Sequence, residues 1–119
     1  MENKKFRIGI IGLTPGQSWA HFAHLPALEA QKDKFEITAV ANSRYESSLK
    51  AAKAANIPNA FENAEALVKS DVVDIVAVTV RVPVHKDVVM KAIEAGKTMY
   101  CEWPLAKDLV ESEELARLA

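Results

Sequence analysis

Residues 6–19 read Phe-Arg-Ile-Gly-Ile-Ile-Gly-Leu-Thr-Pro-Gly-Gln-Ser-Trp. A β-branched run ends at Gly12, a turn of Thr14, Pro15 and Gly16 follows, and Ser18 is placed to cap a helix opening at Trp19. Strand, glycine turn and helix start in that order can cradle a diphosphate. The helix start presents unpaired N–H groups and a partial positive charge. Glycine matters because a Cβ blocks both the tight turn and the approach of the ligand. The residues expected around such a cradle are Gly12, Leu13, Thr14, Gly16, Gln17, Ser18 and Trp19. The spacing departs from G-x-G-x-x-G, because Thr14 and Gln17 stand where the second and third glycines would fall. Gly12 taken alone could simply end a strand.

The next chemically informative position is the end of the second strand, residues 35–41. An acid there would accept hydrogen bonds from an adenine ribose and repel a 2′-phosphate. This chain has Asn42, Ser43 and Arg44 instead. Asn42 removes the repulsion, Ser43 can donate to a phosphate and Arg44 can pair with it, which favours NADP over NAD. A second reading stands beside it. Ser43 and Glu46 have the spacing of a capping box, so Ser43 could only cap a helix starting at Arg44, and Arg44 could only be a solvated first-turn residue.

Arg81, Val82 and Pro83 form the loop after the most hydrophobic run, and His85 follows near a helix start. His85 could face the nicotinamide side of a dinucleotide crevice or lie plainly on the surface. Glu102 and Trp103 occupy the exit of the last strand, where ligand contacts collect in parallel sheets. Trp103 offers either a flat face for a nicotinamide or sugar or a plug over the sheet edge. His21 and His24 are spaced as metal ligands can be, but no third ligand accompanies them, so no metal site is expected. Cys101 reads as a small buried residue of the last strand.

These residues need elements to hold them. Strands are expected at residues 7–11, 35–41, 60–61, 72–80 and 98–101. The first helix runs from about residue 19, bent or restarted at Pro26. The second runs from Arg44 to about Asn56, with Leu49, Ala52 and Ala55 along it and Pro58 stopping it. Asn63 caps a brief third helix. Val84, Val88, Val89, Ala92 and Ile93 make the stripe of a fourth, closed by Gly96. Residues 107–119 form the last, with Leu109, Val110, Leu115 and Leu118 available for packing. Strands alternating with helices imply an α/β, doubly wound parallel sheet of order 3-2-1-4-5; a full six-stranded domain would need one more strand.

The chain has 119 residues, enough for one domain with a core. Fifteen basic and sixteen acidic residues give a net charge of −1, which offers no support for nucleic-acid or membrane-surface binding. A single cysteine excludes an internal disulfide and suits a reducing cytoplasm. No apolar run approaches the roughly 20 residues of a membrane span, and no signal-peptide pattern is present.

The glycine strand, the strand ending in Ala-Asn-Ser-Arg, the Val-Asp-Ile-Val-Ala-Val strand, the loop leading to His85 and the Cys-Glu-Trp-Pro-Leu-Ala exit loop resemble the glucose–fructose oxidoreductase and inositol dehydrogenase (Gfo/Idh/MocA) family. The resemblance covers essentially the whole chain, as that family's N-terminal nucleotide-binding domain. It implies a Rossmann fold, a bound NAD(P) and a sugar or polyol substrate in a longer parent. The parent would carry a C-terminal α/β domain, absent here, with most oligomer contacts. The family's usual Glu-Lys-Pro exit loop, whose lysine positions substrate and relays a proton, is Glu102-Trp103-Pro104 here. That departure and the long glycine loop are similar to the family's galactose-pathway repressor branch, which implies an NADP-responsive regulator as the alternative to an enzyme.

Overall fold

Ile8 and Ile10 point to one side of the first strand, and Gly9 and Ile11 to the other. Both sides are covered, which is why the strand reads as an unbroken apolar run. A computed structural model describes residues 5–18, 20–102 and 105–119. The expectations for Trp19 and Trp103 lie outside the described residues. Five strands, β1 (Phe6–Ile11), β2 (Phe35–Ala41), β3 (Asn59–Phe61), β4 (Ile75–Val78) and β5 (Thr98–Cys101), form one parallel sheet. Its order is β3-β2-β1-β4-β5, as the alternation of elements implies. Helices α1 (Leu25–Ala30) and α2 (Tyr45–Ala55) cover one face, and α3 (Ala64–Val68), α4 (Val82–Glu94) and α5 (Leu109–Leu118) the other. The fold is a Rossmann-type, doubly wound α/β sheet.

The two apolar cores are therefore separate. Ile8, Ile10, Val40 and Ala77 pack with Leu13, Ala20, Ala51 and Ala52. Ile11, Val76 and Val78 pack with Leu67, Val68, Val88, Val89 and Leu115. Gly9 permits this second layer to approach, because a Cβ there would lie 2.8 Å from Leu67 and 2.9 Å from Val73.

Several element boundaries differ from the sequence reading for local reasons. The fourth strand is only Ile75–Val78 within the expected run 72–80. At the near end Asp74 still donates its N–H to the Arg7 carbonyl at 2.8 Å, while its side-chain carboxylate accepts from the Arg7 backbone N–H at 2.8 Å. At the far end Thr79 still donates its N–H to the Ile11 carbonyl at 3.0 Å, and its hydroxyl lies 2.9 Å from both the Ile11 and Gly12 carbonyls. The chain after the glycine loop begins as a π-helical turn, Ala20–His24, which Pro26 converts to α1 within its first turn.

Helix α2 has Arg44 as its N-cap with no side-chain bond, so the expected capping box at Ser43 does not form. Ser48 takes over that end, its Oγ accepting from the Asn42 N–H at 2.8 Å and donating to the Arg44 carbonyl at 3.2 Å. The buried face of α2 is consequently Ser48, Ala51 and Ala52, and Leu49 is exposed. Asn63 caps α3 as expected, accepting from the Ala66 N–H at 2.9 Å. Gly96 follows α4 with φ of 71° and donates to the Ile93 carbonyl at 3.0 Å. Asp108 caps α5, which begins at Leu109, two residues after the expected start, and of its expected packing residues only Leu115 is buried; Leu109, Val110 and Leu118 are exposed. No helix among the described residues is long and apolar enough to cross a membrane.

Candidate functional site

The C-terminal ends of β1, β2 and β4 open onto a cleft of about 510 Å3. This is the point where strand order reverses, outside the carboxyl ends of a parallel sheet. Gly12, Thr14 and Ser18 line it from the glycine loop. Asn42, Ser43 and Ser47 line it from the exit of β2, and Thr79, Val80 and Arg81 from the exit of β4. Val84, Asp87 and Val88 of α4 form its floor with Asn63 and Ala64.

Gly12 is indispensable to the loop's path. Its φ is 95°, a region L side chains rarely adopt. A Cβ there would meet the Val80 side chain at 2.7 Å and the Val80 nitrogen at 3.0 Å. The glycine thus lets the exits of β1 and β4 touch. Gly16 also has positive φ, 76°, but nothing lies within 4 Å of its would-be Cβ. Gly16 and Gln17 sit on the exposed outer turn of the loop, outside the cleft lining, and the Leu13 side chain is fully buried in the core.

The loop closes on itself more than the sequence suggests. The Gly12 N–H donates to the Ala41 carbonyl at 3.0 Å, and the Leu13 N–H to Asn42 Oδ1 at 2.8 Å. Ser18 does not cap the following helix with its hydroxyl. Its Oγ accepts from the Thr14 N–H at 3.0 Å, and its carbonyl receives the N–H groups of His21 and Phe22. Gln17 and Ser18 both donate to the Thr14 carbonyl, at 3.1 and 3.0 Å. What the loop turns toward the cleft is therefore mainly hydroxyl chemistry, from Thr14 and Ser18, joined by Ser43 and Ser47 across it. Arg81 adds a cation to the wall, and Arg44 stands exposed beside Ser43 at the start of α2. Among the described residues neither arginine has an ion pair, whereas Asp87, the acid of the lining, is held by Lys91 at 2.8 Å. Hydroxyls and these two guanidinium groups make a donor set suited to phosphates.

Two further residues, His85 and Glu102, behave differently from the sequence reading. His85 is neither a surface histidine nor a wall of the cleft. It is 1% exposed, with Nε2 2.7 Å from the Val80 carbonyl and Nδ1 3.2 Å from the Leu105 carbonyl. Its place on the stripe with Val88, Val89 and Ala92 is the signal that points inward. It braces the loop after β4 against the segment after β5. Cys101 Sγ lies 3.4 Å from His85 Nδ1, and burial, helped by the neighbouring Glu102 carboxylate, pushes its thiol up to about 11. Glu102 turns away from the cleft to meet His24, with 3.1 Å between Oε2 and Nε2. His24 also stacks edge-on against the Tyr100 ring, centroids 5.7 Å apart.

Residues 6–119 match the Gfo/Idh/MocA family, the oxidoreductase family with an NAD-binding Rossmann fold. The chain belongs to that family. Among its relatives, dehydrogenase aclE of Aspergillus oryzae is 39% identical over 122 residues, covering 98% of this chain and 33% of that protein. The galactose/lactose metabolism regulatory protein GAL80 of Kluyveromyces lactis is 31% identical, over 95% of this chain and 26% of that protein. A super-repressor mutant of Gal80p from Saccharomyces cerevisiae superposes with a TM-score of 0.90 at 27% identity, covering 98% of this chain and 32% of that one. KijD10, a 3-ketoreductase from Actinomadura kijaniata crystallised with NADP and TDP-benzene, superposes at 0.82 with 30% identity, covering 98% of this chain and 34% of that one. The Gfo/Idh/MocA chain described here thus spans about a third of the length of the relatives it matches, and its likeness extends to both dehydrogenases and regulators.

Proposed function

We propose that this chain is the NADP(H)-binding domain of an oxidoreductase that acts on a sugar or polyol. The observation that carries the reading is the cleft itself. It sits at the strand-order reversal, is lined by hydroxyls and Arg81, and has no acid at the end of β2. Gly12, Thr14 and Ser18 hold the diphosphate, with Leu13 anchoring the loop through Asn42 and the turn at Gly16 and Gln17 shaping it. Ser43 and Arg44 take the 2′-phosphate, and the guanidinium at Arg44 supplies a planar pair of donors for it. Arg81, with Val82 beside it, borders the nicotinamide half. Glu102 acts there only through His24, and His85 only as the brace beneath Val80. Bound NADP would supply a hydride acceptor; the residues of this chain bind and orient it. The domain alone binds cofactor without turnover, since hydride transfer needs a second reactant held in near-attack geometry. That second reactant belongs to the rest of a longer protein, which we place in the cytoplasm on the strength of the lone, unpaired cysteine.

Calorimetric titration with NADPH and with NADH tests this. Tighter binding of NADPH supports the reading, and a flat trace with both defeats it.

A second reading has its own support. Trp103 stands where the lysine of the family's usual exit loop would be, and the regulators from two yeasts lie among the relatives. In that reading bound NADP alters a protein interface and no hydride moves. Assaying the full-length protein against sugars and polyols separates the two: turnover with any of them removes the regulator reading.

A further inference from the structure

Asn42 occupies the position from which a nucleotide-binding sheet ordinarily judges the adenine ribose, yet its side chain is already committed elsewhere. Its Oδ1 accepts from the Leu13 N–H at 2.8 Å, and its Nδ2 donates to the Leu13 carbonyl at 2.8 Å. The second Nδ2 hydrogen goes to Ser47 Oγ at 2.9 Å, while the Asn42 backbone N–H goes to Ser48 Oγ at 2.8 Å. Both amide donors and one acceptor lone pair are therefore used. The two bonds to Leu13 copy a strand pairing, and they extend the β1–β2 ladder one residue past its last backbone bond, Gly12 N–H to the Ala41 carbonyl. Leu13 is fully buried, so its backbone groups have no water to turn to if the amide leaves.

We infer that Asn42 is a positioning residue that clamps the glycine loop, and that this clamp excludes an acid from the one position where an acid would select NAD. A carboxylate keeps the bond to the Leu13 N–H. It faces the Leu13 carbonyl with no proton to give, and it loses the donor to Ser47. The amide is required because Leu13 presents a donor and an acceptor together. Tolerance of a 2′-phosphate then follows from the architecture of the loop, and positive selection for that phosphate falls to Ser43 and Arg44. The inference rests on the proposal that the cleft takes NADP, and deepens it by naming why the usual NAD-selecting change is closed to this chain.

The test uses the chain with Asn42→Asp and Asn42→Ala. Clamping predicts that Asn42→Ala loses affinity for NADPH and NADH together, each by about tenfold, with the ratio of the two affinities held within about threefold, and that Asn42→Asp also loses NADH by about tenfold and NADPH by more, because the acid adds repulsion of the 2′-phosphate. It also predicts slow amide exchange at Leu13 in the unsubstituted chain, cofactor absent, and fast exchange there in Asn42→Ala while the interior of β1 stays protected. A role in overall stability alone would leave the affinity of the folded fraction unchanged. An Asn42→Asp variant that gains NADH binding while losing NADPH binding tenfold or more overturns the inference. So does rapid exchange at Leu13 in the unsubstituted chain, a result that holds even where a variant fails to fold. If the unsubstituted chain binds neither cofactor, the NADP proposal itself falls and takes the inference with it, a failure distinct from a specificity switch.

Discussion

His24 and Glu102 meet at 3.1 Å although 78 residues separate them in the chain. The contact ties the turn after the glycine loop to the exit of β5, so the two elements on that flank of the sheet end are joined. Both side chains are mostly covered, at 17% and 20% exposure, which shields the pair from solvent better than the surface pairs of this chain. His24→Ala is expected to cost about 1 kcal/mol of stability, and to speed amide exchange across the Ala20–His24 turn. Glu102→Gln is expected to cost less, since its amide can still accept from the ring. Denaturant titration with exchange mapping checks both, and equal exchange rates with and without His24 would show that the contact holds nothing.

Arg44 is the residue on which cofactor choice turns. It is exposed, adjoins Ser43 at the cleft and has no ion pair among the described residues. Arg44→Ala is expected to weaken NADPH by about tenfold and to leave NADH nearly unchanged. The difference should shrink at high salt, because an exposed pair is screened. Losses of equal size for the two cofactors would remove Arg44 from 2′-phosphate recognition.

The sheet order was legible because alternating elements admit few topologies, and the runs that make β1 and β2 are strongly β-branched and flanked by turn residues. The glycine turn was legible for the same reason: Gly12 ends a strand and begins a loop wherever that motif is built. What was not legible is which way a polar side chain turns. Asn42 by type invites a reading toward ligand, yet its geometry is set by a backbone 29 residues earlier. Ser18 and Ser43 have the spacing of caps, yet Ser18 closes the loop back onto Thr14, and Ser48 serves the helix that Ser43 would have capped. His85 is decided by one turn of helix phase, which places it under Val80 rather than toward solvent. These are tertiary choices among locally equivalent hydrogen bonds, and no single stretch of sequence contains them.

Cys101 is expected to resist modification. Its thiol is pushed up to about 11 by burial, with the Glu102 carboxylate adding to the effect. Near pH 8 only about a thousandth is thiolate, so a disulfide reagent should react slowly with the folded chain and rapidly once it is unfolded. The same shift has a sign for stability. Above the ordinary value of 9.0 the unfolded chain releases the thiol proton while the folded chain keeps it up to about 11, so the folded state loses stability as pH rises through that window. Cys101→Ala should flatten that part of the stability profile. An unchanged slope between pH 9 and 11 would assign the loss to other groups.

The two glycines of the loop separate packing from backbone strain. At Gly12 a methyl group would press on Val80 at 2.7 Å and on backbone atoms of Val80 and Thr79 at 3.0 and 3.1 Å, with φ at 95°. Backbone atoms at the ends of two central strands cannot yield, so Gly12→Ala combines strain with a clash and is expected to cost about 3 kcal/mol or more. At Gly16 the methyl group meets nothing within 4 Å, and only the positive φ of 76° opposes it. Gly16→Ala is then expected to cost about 1 kcal/mol, the price of the left-handed conformation alone. Cofactor affinity should follow the same order, because displacement at Gly12 moves the cleft wall formed by Val80 whereas Gly16 lies on the outer turn. Urea denaturation and NADPH titration of the two variants measure both effects, and a Gly16→Ala variant as damaged as Gly12→Ala would mean that the loop's conformation, rather than the contact between β1 and β4, limits the site.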